Sequence, residues 1–214
     1  MTKIQLALDR LTKESCHQLI RETVDFIDIV EIGSGVIKQY GMEFVKEIKV
    51  TYPTKEILVD MKTCDAGRAE AEQAYNAGAD WTTVMSFASN TTIQDVLDVS
   101  RQFTKSVYLD MMNCHNQSRI QELYKIGVRN FNIHIPIDQQ TSSRWSEKLF
   151  SSYSNLEGIN LVLSGGIGLE DIKYLSSFKP AIVIVGSAIT KSEHPKQVAQ
   201  AIREEVNRYA ARSI

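Results

Sequence analysis

The 214-residue sequence is poor in cysteine and proline and has no long apolar run. Its three cysteines, Cys16, Cys64 and Cys114, lie far apart and form no Cys-x-x-Cys pair. That argues against a disulfide framework or a structural zinc site and points to a reducing cytoplasm. Four prolines and no low-complexity block argue against disordered linkers. No stretch reaches about 18 apolar residues, so no membrane-spanning helix is expected. The short apolar segment before Asp9 is too brief for a signal peptide. Neither charge sign dominates: 24 Lys+Arg stand against 26 Asp+Glu, a net charge of −2, which does not suit a nucleic-acid partner. What is present is 43% hydrophobic residues in a chain of one-domain length, enough for a sizeable core.

Those hydrophobic residues follow one rhythm. Eight short apolar runs recur: Ile4–Leu8, Ile27–Ile32, Ile57–Met61, Trp81–Met85, Ser106–Leu109, Asn130–Ile133, Asn160–Leu163 and Ala181–Val185. Their starts are 21 to 30 residues apart, room for one helix between neighbours. Helical periodicity follows Thr12, spans Arg68–Asn76 and Thr91–Phe103, and resumes after His194-Pro195 with Val198, Ile202 and Val206 on one face. Strands alternating with helices imply right-handed βαβ units, and eight without a break predict a single-domain (β/α)8 TIM barrel over residues 1–214. The competing open sheet would carry Gly-x-Gly-x-x-Gly after its first strand; Asp9-Arg10-Leu11-Thr12 stands there instead. The polar segment 138–146 is the best candidate for a mobile loop.

In such a barrel, chemistry sits at the C-terminal ends of the strands. Asp9, Glu31, Asp60, Asp110 and His134 lie at the ends of five runs, with Lys62 and Asp65 just beyond the third. Alternation along a strand points Asp60 and Lys62 to the same side, and the spacing sets Lys62 between the carboxylates of Asp60 and Asp65, which would keep its amine charged. Glu31 and Asp60, on adjacent strands, offer the hard oxygen ligands that suit Mg²⁺, with Mn²⁺ a possible substitute. Gly165-Gly166 and Gly186-Ser187 follow the seventh and eighth strands, where barrels bind phosphate on backbone N–H groups. Each feature alone has a bland reading: a structural ion pair, a tight turn, a hydrogen-bonded core histidine. Their gathering at one end favours a functional site. His17 and His115 have no such context and read as surface residues, Cys64 as a small filler, and Trp81 and Trp145 as packing residues.

Five segments carry a family resemblance: Leu6-Ala7-Leu8-Asp9, Val30-Glu31-Ile32-Gly33, the run from Asp60 through Lys62 and Asp65 to Gly67, Ala77-Gly78-Ala79-Asp80, and Val185-Gly186-Ser187-Ala188-Ile189-Thr190. Over essentially its whole length the chain resembles the 3-hexulose-6-phosphate synthases of the orotidine-5′-monophosphate decarboxylase superfamily, which also contains 3-keto-L-gulonate-6-phosphate decarboxylase. The resemblance implies a Mg²⁺-dependent aldol condensation of ribulose 5-phosphate with formaldehyde. It implies that Glu31 and Asp60 hold the metal, that Lys62 and Asp65 stabilise an enediolate, and that His134 transfers the proton. Asp9 and Asp110 would bind the sugar, and Gly165, Gly166, Gly186 and Ser187 the phosphate. It also implies a homodimer in which Asp65 reaches into the partner's site. The decarboxylase branch usually has Glu at the fifth strand end and Arg three residues after the histidine; here Asp110 and Ile137 stand there, and Asp110 followed by Asn113, Asp138-Gln139-Gln140 and the run Gly186-Ser187-Ala188-Ile189-Thr190 look like the synthase pattern. His134-Ile135-Pro136-Ile137 replaces the more usual His-Thr-Gly, and Pro136 removes an N–H and stiffens that loop. The decarboxylase and a non-catalytic sugar-phosphate sensor remain the alternatives.

Overall fold

A computed structural model describes residues 1–114, 116–140 and 145–211. Eight parallel strands close into a barrel in sequence order: β1 (Lys3–Leu8), β2 (Ile29–Ile32), β3 (Glu56–Thr63), β4 (Trp81–Met85), β5 (Ser106–Asp110), β6 (Asn130–His134), β7 (Asn160–Ser164) and β8 (Ile182–Val185). β8 pairs with β1 from Lys3↔Ile182 to Leu6↔Val185, and this pairing closes the sheet. The helices are α1 (Lys13–Thr23), α2 (Ser34–Thr51), α3 (Gly67–Asn76), α4 (Asn90–Gln102), α5 (Gln117–Lys125), α6 (Glu147–Ser151), α7 (Leu169–Ser176), α8 (Ser187–Thr190) and α9 (Pro195–Ala211). This is the (β/α)8 barrel expected from the eight apolar runs. Among the described residues no helix is long and apolar enough to cross a membrane.

Local signals set the boundaries. Thr12 caps α1, its side chain accepting the Ser15 N–H, and Ser89 caps α4 in the same way. The second strand is shorter than its apolar run. Ile27 is buried but lies before β2, because Asp28 interrupts the ladder to accept the Ile4 N–H at 2.7 Å and to pair with Arg203 of α9. Gly41, at φ +68 and ψ −169, breaks α2 partway along. The segment expected to be mobile, 138–146, begins within a 3₁₀ turn, Ile137–Gln139, behind Pro136; residues 141–144 lie outside the described residues, as does His115.

The two faces of the strands bury different things. Outward residues such as Leu6, Val30, Val59, Leu109, Ile133 and Val185 pack against the helices in one continuous core. Inward residues stack in layers: Ile29, Leu58, Tyr108, Val162, Ile182 and Ile184 form a separate apolar cluster inside the barrel. Two residues further along β2, β3, β5 and β7 come Glu31, Asp60, Asp110 and Ser164, because strand side chains alternate with period two. A polar layer therefore rests on an apolar plug at the C-terminal end.

At the opposite end Asp80 ties four elements together. Its carboxylate accepts Lys49 of α2 at 2.7 Å, Lys105 before β5 at 2.6 Å and the Ile57 N–H of β3 at 2.9 Å. Burial pushes its pKa up, but Lys105, Lys49 and the Ile57 N–H outweigh that and hold it below the usual carboxylate value. A depressed folded pKa contributes stability above the unfolded value, about 3.9, that is lost as pH falls through the folded one. Asp80→Asn is expected to lower stability at pH 7 by about 1–3 kcal/mol, measured by urea unfolding, with the gap from wild type closing as pH falls below the unfolded carboxylate value.

Candidate active site

The C-terminal end of the barrel opens into a cavity of about 340 Å³. Asp9, Glu31, Asp60, Lys62, Asp110, His134, Gly165, Gly166, Gly186 and Ser187 all line it. A larger cavity, about 540 Å³, lies at the other end among Lys3, Trp81, Asn130 and Asn160. It gathers none of the sequence-predicted residues, so volume alone does not identify the site.

A charged array forms the cavity floor. Lys62 Nζ pairs with Asp60 Oδ2 and lies 3.7 Å from Asp110 Oδ2. His134 Nδ1 is 2.7 Å from the same Asp110 oxygen. Burial pulls Lys62 down, but Asp60 and Asp110 raise its pKa above the ordinary lysine value, so the amine stays protonated. Burial pushes Asp110 up; the His134 hydrogen bond and charge, Lys62 and the Met112 N–H reverse this and leave its pKa lowered. An ionised Asp110 fixes His134 with its proton on Nδ1 and the lone pair of the neutral ring on Nε2.

The local backbone at Lys62 departs from the simple alternation expected. The β3–β4 register shifts between Val59 and Thr63, and Lys62 adopts φ +50. A positive φ at a non-glycine residue costs about 1–3 kcal/mol. Thr83 of β4 holds the bulge: its hydroxyl accepts the Lys62 N–H at 2.9 Å and donates to Asp60 Oδ1 at 2.8 Å. Ser34, at the start of α2, donates to the Asp60 carbonyl at 2.7 Å, and its hydroxyl is 3.0 Å from Oδ2. Asp60 and Lys62 thus meet on one side through a bulge rather than through a regular strand.

Glu31 is buried, and burial followed by the nearby Asp60 charge pushes its pKa up to about 7. Two carboxylates close enough to repel suit a hard divalent cation, which would relieve that repulsion. Among the described residues no group of three or more His, Cys, Asp or Glu is arranged to hold a metal. The remaining positions would fall to substrate and water oxygens, as Mg²⁺ commonly accepts; the donor set fits Mg²⁺ and does not fit zinc.

Asp9 sits at the cavity edge. Its Oδ1 accepts the Gly35 N–H at 2.7 Å, and a Cβ at Gly35 would come within 2.5 Å of that oxygen. Gly165, at φ +114, runs so close to β6 that a Cβ would lie 2.3 Å from the Ile135 carbonyl.

Some expectations need correction. Asp65 does not flank Lys62: it is exposed, its Oδ1 accepts the Ala66 N–H, and it borders a shallow surface depression with Arg68, Ser89 and Asp95. The second carboxylate at Lys62 is Asp110, because the bulge turns the chain away before Asp65. Cys64 is exposed rather than a filler. His17 is packed edge-on against Phe44 and bonded to Glu47 at 2.8 Å rather than free on the surface. Sequence reasoning missed Gln5, Ser34, Thr83 and Tyr108. A polar residue inside an apolar run (Gln5) and a doubled Thr82-Thr83 in β4 were the available signals.

The model of the "Orotidine 5'-phosphate decarboxylase / HUMPS family" matches residues 2–202. A 3-hexulose-6-phosphate synthase of Bacillus subtilis (strain 168) is 32% identical over 204 residues, 94% of this chain and 97% of the relative. The 3-keto-L-gulonate-6-phosphate decarboxylase UlaD of Salmonella typhi is 27% identical over 206 residues, 95% of each chain. The crystal structure of 3-hexulose-6-phosphate synthase from Salmonella typhimurium superposes with a TM-score of 0.93 at 31% identity, covering 97% of this chain and 100% of that one.

Gly165→Ala is expected to lose about 1–3 kcal/mol of stability, since alanine is strained at this φ and its methyl meets a carbonyl. A thermal melt checks this, and the same substitution at Gly127, where a Cβ meets nothing within 4 Å, separates the contact from the φ penalty.

Proposed function

The chain belongs to the orotidine 5'-phosphate decarboxylase / HUMPS family, and from that premise we propose that it is a 3-hexulose-6-phosphate synthase, joining ribulose 5-phosphate to formaldehyde. The observation that carries the reading is the Asp60–Lys62–Asp110–His134 array on the cavity floor. The 32% identity to a named synthase supports the same choice.

In this reading the sugar phosphate lies across the cavity. The Gly165-Gly166 and Gly186-Ser187 loops hold its phosphate through backbone N–H groups, and Asp9 takes sugar hydroxyls. Glu31 and Asp60 would hold Mg²⁺ or Mn²⁺, and such a cation, when bound, polarises the ketose carbonyl as a Lewis acid. His134 Nε2 removes the proton from C1, its ring held in place by Asp110. The electron pair left behind forms an enediolate, whose negative charge the Lys62 ammonium stabilises. C1 then attacks the formaldehyde carbon, and the resulting alkoxide takes back the proton from the imidazolium. Lys62 is too firmly protonated to act as a Schiff-base nucleophile. Asp65, exposed and away from this cavity, serves the site of a second copy in a homodimer and completes the charge array there.

A decarboxylase acting on 3-keto-L-gulonate 6-phosphate uses the same enediolate with carbon dioxide as leaving group. The 27% identity to UlaD keeps that reading in view.

The test is consumption of formaldehyde in the presence of ribulose 5-phosphate, run beside carbon dioxide release from 3-keto-L-gulonate 6-phosphate. Formaldehyde loss that stops on chelation and returns with Mg²⁺ is expected; full activity after metal removal counts against Glu31 and Asp60 as ligands. Asp65→Asn is expected to remain a folded dimer by sedimentation while turnover falls by about 10²-fold or more; wild-type turnover would remove Asp65 from the mechanism.

A further inference from the structure

Gln5 is the least expected residue of the barrel interior. It comes from β1, is fully buried, and sits beside the apolar layer of Ile29, Leu58 and Tyr108. Its Nε2 donates to Glu31 Oε2 at 2.6 Å and to the Tyr108 hydroxyl at 2.9 Å. A carboxylate only accepts, so the amide end facing Glu31 is the NH₂ group. The other end, Oε1, is buried without a hydrogen-bond partner among the described residues. Such an orphan acceptor costs about 1–3 kcal/mol, and an apolar side chain of the same length would avoid it. Packing therefore does not account for an amide at this position; the donor does.

We propose that Gln5 is a positioning residue for the cation site: with Tyr108 it grips Glu31 from below, so that one carboxylate oxygen is held and the other is presented to the cavity that Glu31 lines. Tyr108 is two residues before Asp110 on β5, so the Gln5–Tyr108 contact also ties Glu31 to the strand that orients His134. Outer partners of metal ligands act in this way, limiting the orientations a ligand explores before the ion arrives. The inference rests on the reading that Glu31 and Asp60 hold a divalent cation.

The experiment is a Mn²⁺ titration followed by electron paramagnetic resonance, without substrate, on the wild type, Gln5→Met and Tyr108→Phe. Methionine keeps the length and volume and removes the donor. Gln5→Met is expected to bind Mn²⁺ about 10–100-fold more weakly, with a metal-free Tm equal to or above that of the wild type. Its turnover is expected to recover as Mn²⁺ is raised, which a packing defect would not allow. Tyr108→Phe is expected to show a smaller loss in the same direction. Wild-type Mn²⁺ affinity in Gln5→Met overturns the role of Gln5 and leaves the cation site standing. Absence of Mn²⁺ binding by the wild type at millimolar concentration overturns the cation site and this inference with it. Should Gln5→Met not fold, unchanged Mn²⁺ affinity in Tyr108→Phe overturns the grip and a weakened one upholds it.

Discussion

Three carboxylates and one ammonium share the floor of the barrel mouth, nearly out of water. Glu31, Asp60 and Asp110 are all buried, and Lys62 bridges Asp60 and Asp110. Beneath them lies the apolar layer of Ile29, Leu58, Val162 and Ile184, which keeps the local dielectric low. Lys62 satisfies two of the three acids, and the third shows the deficit: Glu31 is the acid whose pKa is driven to about 7. Buried ion groups contribute little net stability, so such an array is a poor way to hold a barrel together. In the proposed reading it prepares a site for two further partners, a cation beside Glu31 and a substrate whose reacting oxygens gain negative charge beside Lys62.

The fold's irregularities lie where this array has to be held. A regular β3 would continue its pleat past Asp60; instead Lys62 takes a left-handed conformation and the ladder slips. Thr83 takes up the amide hydrogen bond that the slip leaves free and spends its own proton on Asp60. Ser34 approaches the same carboxylate from the start of α2. Asp60 is thus gripped from β4 and α2 and by Lys62 of its own strand, and its position is fixed before any ligand enters. At the other end the Asp80 clamp shows the opposite economy, with cations and an N–H gathered around one carboxylate and nothing left over for a ligand. The bigger cavity lies at that end too. At one end cations surround the carboxylate and at the other carboxylates outnumber the lysine, which distinguishes the ends better than size.

Much of the architecture was legible because it depends on short-range pattern. Eight apolar runs gave eight strands, and the residues ending them gave the cavity's charged lining, since period-two alternation carries directly from sequence to geometry. Contacts that depend on tertiary placement were not legible. Asp65 is three residues from Lys62 in sequence and looks like its natural partner; Asp110, 48 positions away, takes that place because both side chains turn into the closed barrel, where β3 and β5 reach each other across β4. The bulge left no trace, because a left-handed lysine is indistinguishable from any other in a sequence, whereas a glycine would have announced it. Gln5 was hidden for a different reason: one polar residue in an apolar strand reads as tolerance, and only its two hydrogen bonds reveal a purpose.

Condensation and decarboxylation ask the same thing of the floor of the site. In the proposed mechanism both generate an enediolate, and Lys62, Asp110 and His134 would respond to that charge irrespective of what leaves or joins. Discrimination between them therefore falls to the acid at the fifth strand end, Asp110 here, and to groups facing the one-carbon unit. A carboxylate leaving as carbon dioxide begins as an anion and favours a cation at its side, whereas formaldehyde is neutral and does not. The loop after β6 supplies such groups to the cavity: Ile137, half-exposed and apolar, on the rim near His134, and Gln140, tied to the Ile135 carbonyl at 3.2 Å. Pro136 sets the turn that presents them. Arg10 and Lys191 line the same cavity from other loops, but Ile137 and Gln140 bring no charge to the β6 side; an uncharged β6 side suits a neutral electrophile, and on this ground the proposed synthase reading is preferred to the decarboxylase one.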